Sequence, residues 1–214
     1  MKNYKKNLEL LTKNHVYSKE MEHDACGVGL IASTEGKKSR AIVEYGIEAL
    51  KAVWHRGAVD ADGKTGDGAG IHVEIPKDFF IEKIQVTGHD YDNSEICVGM
   101  IFLPRNDYSA QESCKTIVES ELTKNNFSIY GWRQVPVNPK VLGEKALQTM
   151  PEIIQVLFKS NDPNLLDKNL ERKIYETRKR IENKAFDASL NNFYICSISS
   201  KSIIYKGLYL AEAI

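Results

Sequence analysis

Apolar and polar residues follow two different periods along this chain, and each period predicts a different kind of element. Apolar residues that recur every three to four positions predict helices, whereas short alternating or continuous apolar runs predict strands. The helical period covers residues 39–54, 109–124, 143–150 and 165–186. The strand patterns cover residues 28–32, 71–75, 95–103, 127–134, 153–158, 193–199 and 203–205. Strands in clusters with intervening helices indicate an α/β protein built of layered sheets.

Local signals mark the ends and faces of these helices. Ser39 is a predicted N-cap for the first helix, and Ser109 with Glu112 forms a capping box for the second. The last two strands are predicted to form a pair around Ser200 and Lys201. Residues 1–20 are polar and show little pattern, so they are predicted to lie outside the core. A stripe on the long charged helix is predicted to face the core: Leu166, Leu170, Ile174 and Ile181.

Composition narrows the class of protein. With 214 residues and 42% hydrophobic content, the chain can bury one sizeable core. The 29 basic and 29 acidic residues balance, so nothing favours nucleic acid or an anionic membrane as a partner. Apolar runs are shorter than the roughly 20 residues of a membrane span. The basic start leads into a charged stretch that does not resemble a signal peptide, so we expect a cytoplasmic protein.

The four cysteines are spaced too widely to suggest a disulfide framework or a metal site. Cys97 and Cys196 lie in apolar strand-like runs and Cys114 lies on a helix face, where a thiol acts as a small hydrophobic group. The five histidines also lack the spacing of metal ligands, and no metal site is predicted. Cys26 alone has neighbours that suggest chemistry.

Cys26 leads directly into Gly27, Val28 and Gly29, and the two glycines lack side chains, so the backbone there can approach a substrate closely. If the peptide bond before Cys26 were cleaved, this residue would carry both a thiol and an α-amine. The pKa of a thiol is about 8.5 and that of an α-amine about 8, so part of the amine is neutral near pH 7 and can accept the thiol proton. Cys26 is therefore a candidate nucleophile with its own base. The alternative is a buried structural thiol beside a glycine turn.

The end of the first helix carries a second candidate, Arg56, within His55-Arg56-Gly57. A cation followed by glycine is typical of a helix C-terminus, and the same cation could serve a nearby anionic group. The glycine-rich residues 60–70 follow. They lack the first glycine of a phosphate-binding loop and the acidic last position of an EF-hand. A mobile loop near an active site and a plain surface connection both remain open.

Several runs along the chain share an order with one enzyme family. They are Asp24–Ala32, Trp54–Ala58, Ala61–Gly70, Phe102–Arg105, Gly131–Val137 and Phe193–Ser200. Cys-Gly-x-Gly followed by His-Arg-Gly resembles the type-2 (N-terminal-nucleophile) glutamine amidotransferases. The run Asp-Gly-Lys-Thr-Gly-Asp-Gly-Ala-Gly, with Gly-Trp-Arg and Tyr-Ile-Cys-Ser after it, resembles the amidotransferase domain of the glutamate synthase large-subunit family in particular.

The resemblance implies a fold and a set of site residues. The fold would be a four-layer αββα sandwich of the N-terminal-nucleophile hydrolase type, in the α+β class and incomplete at its C-terminus. Residues 1–25 would be a propeptide, and residues 26–214 the N-terminal part of the amidotransferase domain. Cys26 would attack the side-chain amide of glutamine and release ammonia, with Arg56 beside it favouring the thiolate. Gly27 would contact the substrate, and the remaining glutamine-binding and oxyanion residues would lie beyond Ile214.

The resemblance also implies partners. In the whole family enzyme, ammonia from glutamine is combined with 2-oxoglutarate to give glutamate. FMN and an iron–sulfur cluster would belong to the rest of the synthase chain and not to this part, and a small NADPH-oxidising subunit could supply electrons. Because no Asn-Gly pair is present to form an oxyanion hole, we expect this chain to be inactive alone. A non-catalytic binding module with the same scaffold, or another type-2 amidotransferase, are the alternatives.

Overall fold

The computed structural model describes residues 2–14, 27–53 and 59–214. Its helices are α1 (Lys2–Lys13), α2 (Arg40–Ala52), α3 (Lys77–Val86), α4 (Tyr108–Lys124), α5 (Glu144–Thr149) and α6 (Asp167–Asp187). Its strands are β1 (Ala69–Glu74), β2 (Cys97–Leu103), β3 (Phe127–Gln134), β4 (Glu152–Ser160), β5 (Tyr194–Ser199) and β6 (Ser202–Gly207). Short 3₁₀ turns cover Pro139–Val141 and Ala211–Ala213.

The strands form two antiparallel sheets. The larger sheet has the order β3-β4-β2-β5, and the smaller one pairs β1 with β6. The predicted terminal strands both exist, but they are not partners, because β5 belongs to the larger sheet and β6 to the smaller. The chain crosses from one sheet to the other at Ser200 and Lys201. There the Glu171 carboxylate of α6 accepts hydrogen bonds from the Ser200 amide at 2.7 Å and the Ser199 hydroxyl at 2.9 Å.

One face of the larger sheet is covered by α4 and α6. Apolar residues of both helices pack there against outward-facing residues of β2, β3, β4 and β5. This outer cluster includes Ile101, Cys114, Val118, Leu122, Phe127, Phe158, Leu170, Ile174 and Ile181, all of them buried. Burial of apolar area on this scale stabilises the sheet and its two helices as a unit.

The other face of the larger sheet packs against the smaller sheet and α3. This inner cluster includes Phe80, Ile84, Ile96, Val98, Met100, Leu157 and Ile203. Val73 of β1 points into it, whereas the alternating residues His72 and Glu74 are exposed on the opposite face. Lys38, just before α2, pairs with Glu74 at 2.7 Å, which places α2 on that opposite face. The layers therefore run α2, small sheet, large sheet, α4 and α6, and the predicted α+β sandwich is confirmed.

The helix termini confirm one predicted cap and correct another. The Ser39 hydroxyl accepts a hydrogen bond from the Ala41 amide at 3.2 Å. The α4 cap is Asp107 instead of Ser109, and its carboxylate accepts from the Ala110 amide at 2.9 Å. A carboxylate at this position also interacts favourably with the positive end of the helix dipole, so Asp107 is the stronger cap.

The predicted strand over residues 28–32 is wrong. These residues are irregular in the structure, with Val28 and Leu30 92% and 89% exposed. An isolated strand leaves its backbone groups unpaired, and none of the strands in the described parts of the chain pairs with this segment. The apolar residues of this segment therefore do not form a strand in the structure.

Three further differences concern helices. Leu166 is exposed before the first turn of α6, and Thr177 and Ala185 complete the buried stripe in its place. Helix α3 was not predicted, because its ten residues bury only Phe80 and Ile84 and show little periodicity. Helix α1 was not predicted either, and neither core cluster includes its residues.

Candidate active site

The sequence-predicted nucleophile and its cation lie outside the described residues. Cys26 falls in the gap 15–26 and Arg56 in the gap 54–58. Gly27 is the first described residue after one gap and is exposed in an irregular segment. The structure therefore tests neither the role of Cys26 nor that of Arg56, and the three residues stay a prediction.

The chain that follows Arg56 is described from Val59 onward and forms a compact loop before β1. Val59 and Gly66 make an antiparallel bridge, so the loop closes on itself. The Asp60 amide donates to the Thr65 carbonyl at 2.9 Å, and the Gly63 amide donates to the Asp60 carbonyl at 2.9 Å. These bonds give the glycine-rich run a defined backbone path and argue against a freely mobile loop.

Asp62 is the centre of the hydrogen bonds in this loop. Its carboxylate accepts from the Thr65 hydroxyl at 2.6 Å, from the Thr65 amide at 2.7 Å and from the Lys64 amide at 2.9 Å. Led by the Thr65 hydroxyl, these donors hold the pKa of Asp62 well below its ordinary value. Thr65 itself is buried. The pair Asp62 and Thr65 is called the anchor below.

The anchor docks on the start of α5, which comes from a distant part of the sequence. The Ala146 amide of α5 donates to the Thr65 hydroxyl at 3.5 Å. Gly143 lies so close to both anchor side chains that a β-carbon there would overlap with them. Beside the anchor, Asp60 pairs with Lys145 at 2.6 Å. The loop is thus fixed to α5 by charge and by a contact that requires glycine.

Gly66, Gly68 and Gly70 of the loop lie against the end of β6 and the residues that follow it. A β-carbon on Gly66 would lie 2.7 Å from the Tyr209 carbonyl oxygen, and one on Gly70 would lie 2.7 Å from that of Tyr205. Gly68 has a φ of +123° and faces the Gly207 carbonyl. Residues 66–70, called the glycine track, therefore allow backbone to pack on backbone where side chains would clash.

The three cysteines in the described residues are poor candidates for a nucleophile. Cys97, Cys114 and Cys196 are all buried, as their apolar surroundings predict. Burial raises the pKa of Cys114 to about 11 and also raises those of Cys97 and Cys196. A thiol with a raised pKa carries little thiolate at neutral pH. Among the cysteines, Cys26 remains the candidate.

The Gly-Trp-Arg run serves packing in β3. The Trp132 indole donates to the Glu119 carboxylate of α4 at 2.6 Å. Arg133 donates to the buried Gln155 at 2.8 Å, and its guanidinium lies over the Phe79 ring. Gly131 has a φ of +147° beside Thr87, at a bulge in the strand pairing. The run joins α3, α4 and β4 to the edge of the sheet.

No group of three or more His, Cys, Asp or Glu side chains in the described parts of the chain is arranged to hold a metal ion. Within the same residues, each helix is too short or too polar to cross a membrane.

A family model described as "Glutamine amidotransferases class-II" matches residues 26–214. This chain belongs to the class-II glutamine amidotransferases. This is the family that the Cys-Gly-x-Gly and His-Arg-Gly runs predict, and the αββα layers of the structure agree with it.

Individual relatives of this amidotransferase domain are glutamate synthases. It is 53% identical over 209 residues to the glutamate synthase [NADPH] large chain of Azospirillum brasilense, covering 98% of this chain and 14% of that protein. It is 40% identical over 204 residues to a ferredoxin-dependent glutamate synthase of Pyropia yezoensis, covering 93% and 13%. It is 38% identical over 195 residues to the chloroplastic/mitochondrial ferredoxin-dependent glutamate synthase 1 of Arabidopsis thaliana, covering 90% and 12%. The amidotransferase chain thus spans about one seventh of these relatives or less.

The anchor is the part of this region that sequence reasoning missed. An aspartate whose carboxylate accepts from amides two and three residues later is a common turn, and Asp62-Gly63-Lys64-Thr65 carries that signal. The contact with Gly143 carries no such signal, because the two segments are about 80 residues apart.

Proposed function

We propose that this amidotransferase domain is the glutaminase part of a glutamate synthase, with Cys26 as its N-terminal nucleophile. The observation that carries the proposal is the start of the family match at residue 26, the candidate cysteine itself. Residues 1–25 would then be a propeptide, whose removal gives Cys26 its free α-amine. The 53% identity to a glutamate synthase large chain favours a synthase over another kind of class-II amidotransferase.

The chemistry follows from the two groups on Cys26. The α-amine takes the thiol proton, and the thiolate attacks the carboxamide carbon of glutamine. The tetrahedral intermediate collapses as the protonated amine returns its proton to the leaving nitrogen, so ammonia departs and a γ-glutamyl thioester remains. Water then hydrolyses the thioester to glutamate and restores the thiol. Arg56 would stabilise the thiolate by its charge, and the Gly27 backbone would lie against the substrate.

The ammonia would be used elsewhere in the synthase. It would react there with 2-oxoglutarate under reduction to form a second glutamate. The iron–sulfur cluster and FMN would belong to the remainder of the synthase chain, as the resemblance implies. The 53% identity to an NADPH enzyme favours NADPH as reductant. A small NADPH-oxidising subunit would deliver the electrons, and the cytoplasm is the expected compartment.

The test compares two activities of the full synthase. Cys26→Ala is expected to abolish glutamine-dependent glutamate formation and to spare formation from added ammonia, because the second site needs only ammonia. N-terminal analysis of the active protein is expected to begin at Cys26. Equal loss of both activities would make Cys26 structural, and a retained Met1 in fully active protein would contradict the self-activated nucleophile.

A further inference from the structure

The glycine-rich loop after Arg56 connects three parts of the amidotransferase domain that are far apart in sequence. Its anchor holds it to the start of α5, and its glycine track packs against the end of β6. Its first described residue, Val59, is bridged to Gly66 between these two contacts. The loop is therefore the joint between the α5 segment, the small sheet and the segment that carries Arg56.

We infer that Asp62 and Thr65 are positioning residues for glutamine cleavage, an inference that rests on the proposed function. They fix the loop, which follows Arg56 in the sequence and packs on the exit of β6. Asp62 and Thr65 are not catalytic residues, because their side-chain bonds are used within the loop and against α5.

The anchor lies close to Arg56 along the chain. Arg56 precedes Val59 by three residues, and three residues of extended chain span at most about 11 Å. Val59 is held by its bridge to Gly66, and Gly66 directly follows Thr65. Releasing the Thr65 hydroxyl bond therefore loosens Val59, the described residue nearest to Arg56 in the sequence.

The residues that follow the anchor are in contact with β6 and the residues after it. Gly66 follows the anchor directly, and a β-carbon on it would touch both Tyr209 and Leu210. Ala69 and Gly70 then pair with Gly207 and Lys206 in the register of the small sheet. The two backbones approach closely at Gly66 and Gly70, so a shift of the loop is transmitted to residues 205–210.

The bonds of the anchor can be removed without disturbing the hydrophobic core. Three donors converge on the Asp62 carboxylate from its own loop, and Gly143 before α5 packs directly against both anchor side chains. Thr65 is buried, so its hydroxyl has little access to water as a substitute partner. Removing that hydroxyl should release the loop without disturbing the two core clusters, neither of which includes a loop residue.

The experiment uses Thr65→Val, which keeps the shape and removes the hydroxyl, with Thr65→Ser as the matched control that retains it. In the full synthase, Thr65→Val is expected to lower kcat/KM for glutamine by about tenfold, in line with the cost of small misplacements. Ammonia-dependent synthesis should stay unchanged, and Thr65→Ser should restore most of the glutamine activity. Asp62→Asn provides a second, independent release of the anchor and should act in the same direction.

Hydrogen exchange measured on the same proteins separates positioning from general damage. Thr65→Val is expected to speed exchange at residues 63–68 and 205–210 and to leave β2 and β4 protected. Wild-type glutamine kinetics in Thr65→Val, unchanged exchange at 205–210, an equal loss in Thr65→Ser, or equal loss of both activities would each overturn the inference. If Cys26→Ala keeps its glutamine activity, the proposed function has failed, and the exchange data then decide whether the anchor couples to β6.

Discussion

The two sheets of this amidotransferase domain depend on different kinds of contact. The larger sheet is stabilised by side chains, with Phe127 and Phe158 packed edge to face at 5.3 Å under α4 and α6. Around the smaller sheet, contact depends on absent side chains, because Gly66, Gly70 and Gly143 lie where a β-carbon would clash. The larger sheet therefore acts as the scaffold, and the smaller sheet and its loop form the part whose geometry is set by close backbone approach.

The largest expected effect tests the scaffold side of this comparison. Phe158→Ala should lower the free energy of unfolding by about 3–5 kcal/mol, because it leaves a cavity in the outer cluster. Phe186 is the matched control, since it is 79% exposed at the end of α6. Phe186→Ala should change the free energy of unfolding by less than about 0.5 kcal/mol. Denaturant unfolding measures both, and similar values for the two would mean that the outer cluster does not carry the fold.

A smaller effect tests the glycine side. Gly70→Ala should cost about 1–3 kcal/mol of unfolding free energy, because its methyl group would press on Tyr205 and Lys206 of β6. Gly46 in α2 is the matched control, with open space at its β-carbon position. Gly46→Ala should stabilise the protein by about 1 kcal/mol, the ordinary gain of alanine in a helix. The two Gly→Ala substitutions should thus change the free energy of unfolding in opposite directions, which thermal unfolding of both variants would measure.

The same division explains what the sequence could predict. Strand β3 was predicted with its observed bounds, and β2, β4 and α6 within a few residues, because their apolar patterns report the burial of side chains. The small-sheet region was predicted less well. Residues 28–32 carry a strand pattern without a described partner, and the pairing of β6 with β1 depends on the whole fold. The contact of Gly143 with the anchor joins segments about 80 residues apart, and glycine has no pattern that reveals its neighbour.

The residues of the candidate site also fall into two groups, those that local motifs predict and those that only the folded structure reveals. Short runs of sequence suffice to name Cys26, Gly27 and Arg56, because family motifs are local and their chemistry depends on residue type. The residues that hold such a site in place are found only when the chain is folded. Asp62 is an example, since a turn-forming aspartate is common and its contact with Gly143 is visible only in the structure.

The smallest expected effect is a local response of the anchor to acid. Hydrogen bonds from Thr65 and Lys64 lower the pKa of Asp62 from its ordinary value of 3.8. Because the folded pKa is the lower one, the anchor's contribution to stability is fully present above pH 3.8 and is lost as the pH falls through the folded pKa. NMR titration of the Thr65 amide should show a midpoint below 3.8, and Asp62→Asn should remove that transition. A midpoint at or above 3.8 would mean that the carboxylate is not held by these donors, and the loop would then be no more fixed than an ordinary surface turn.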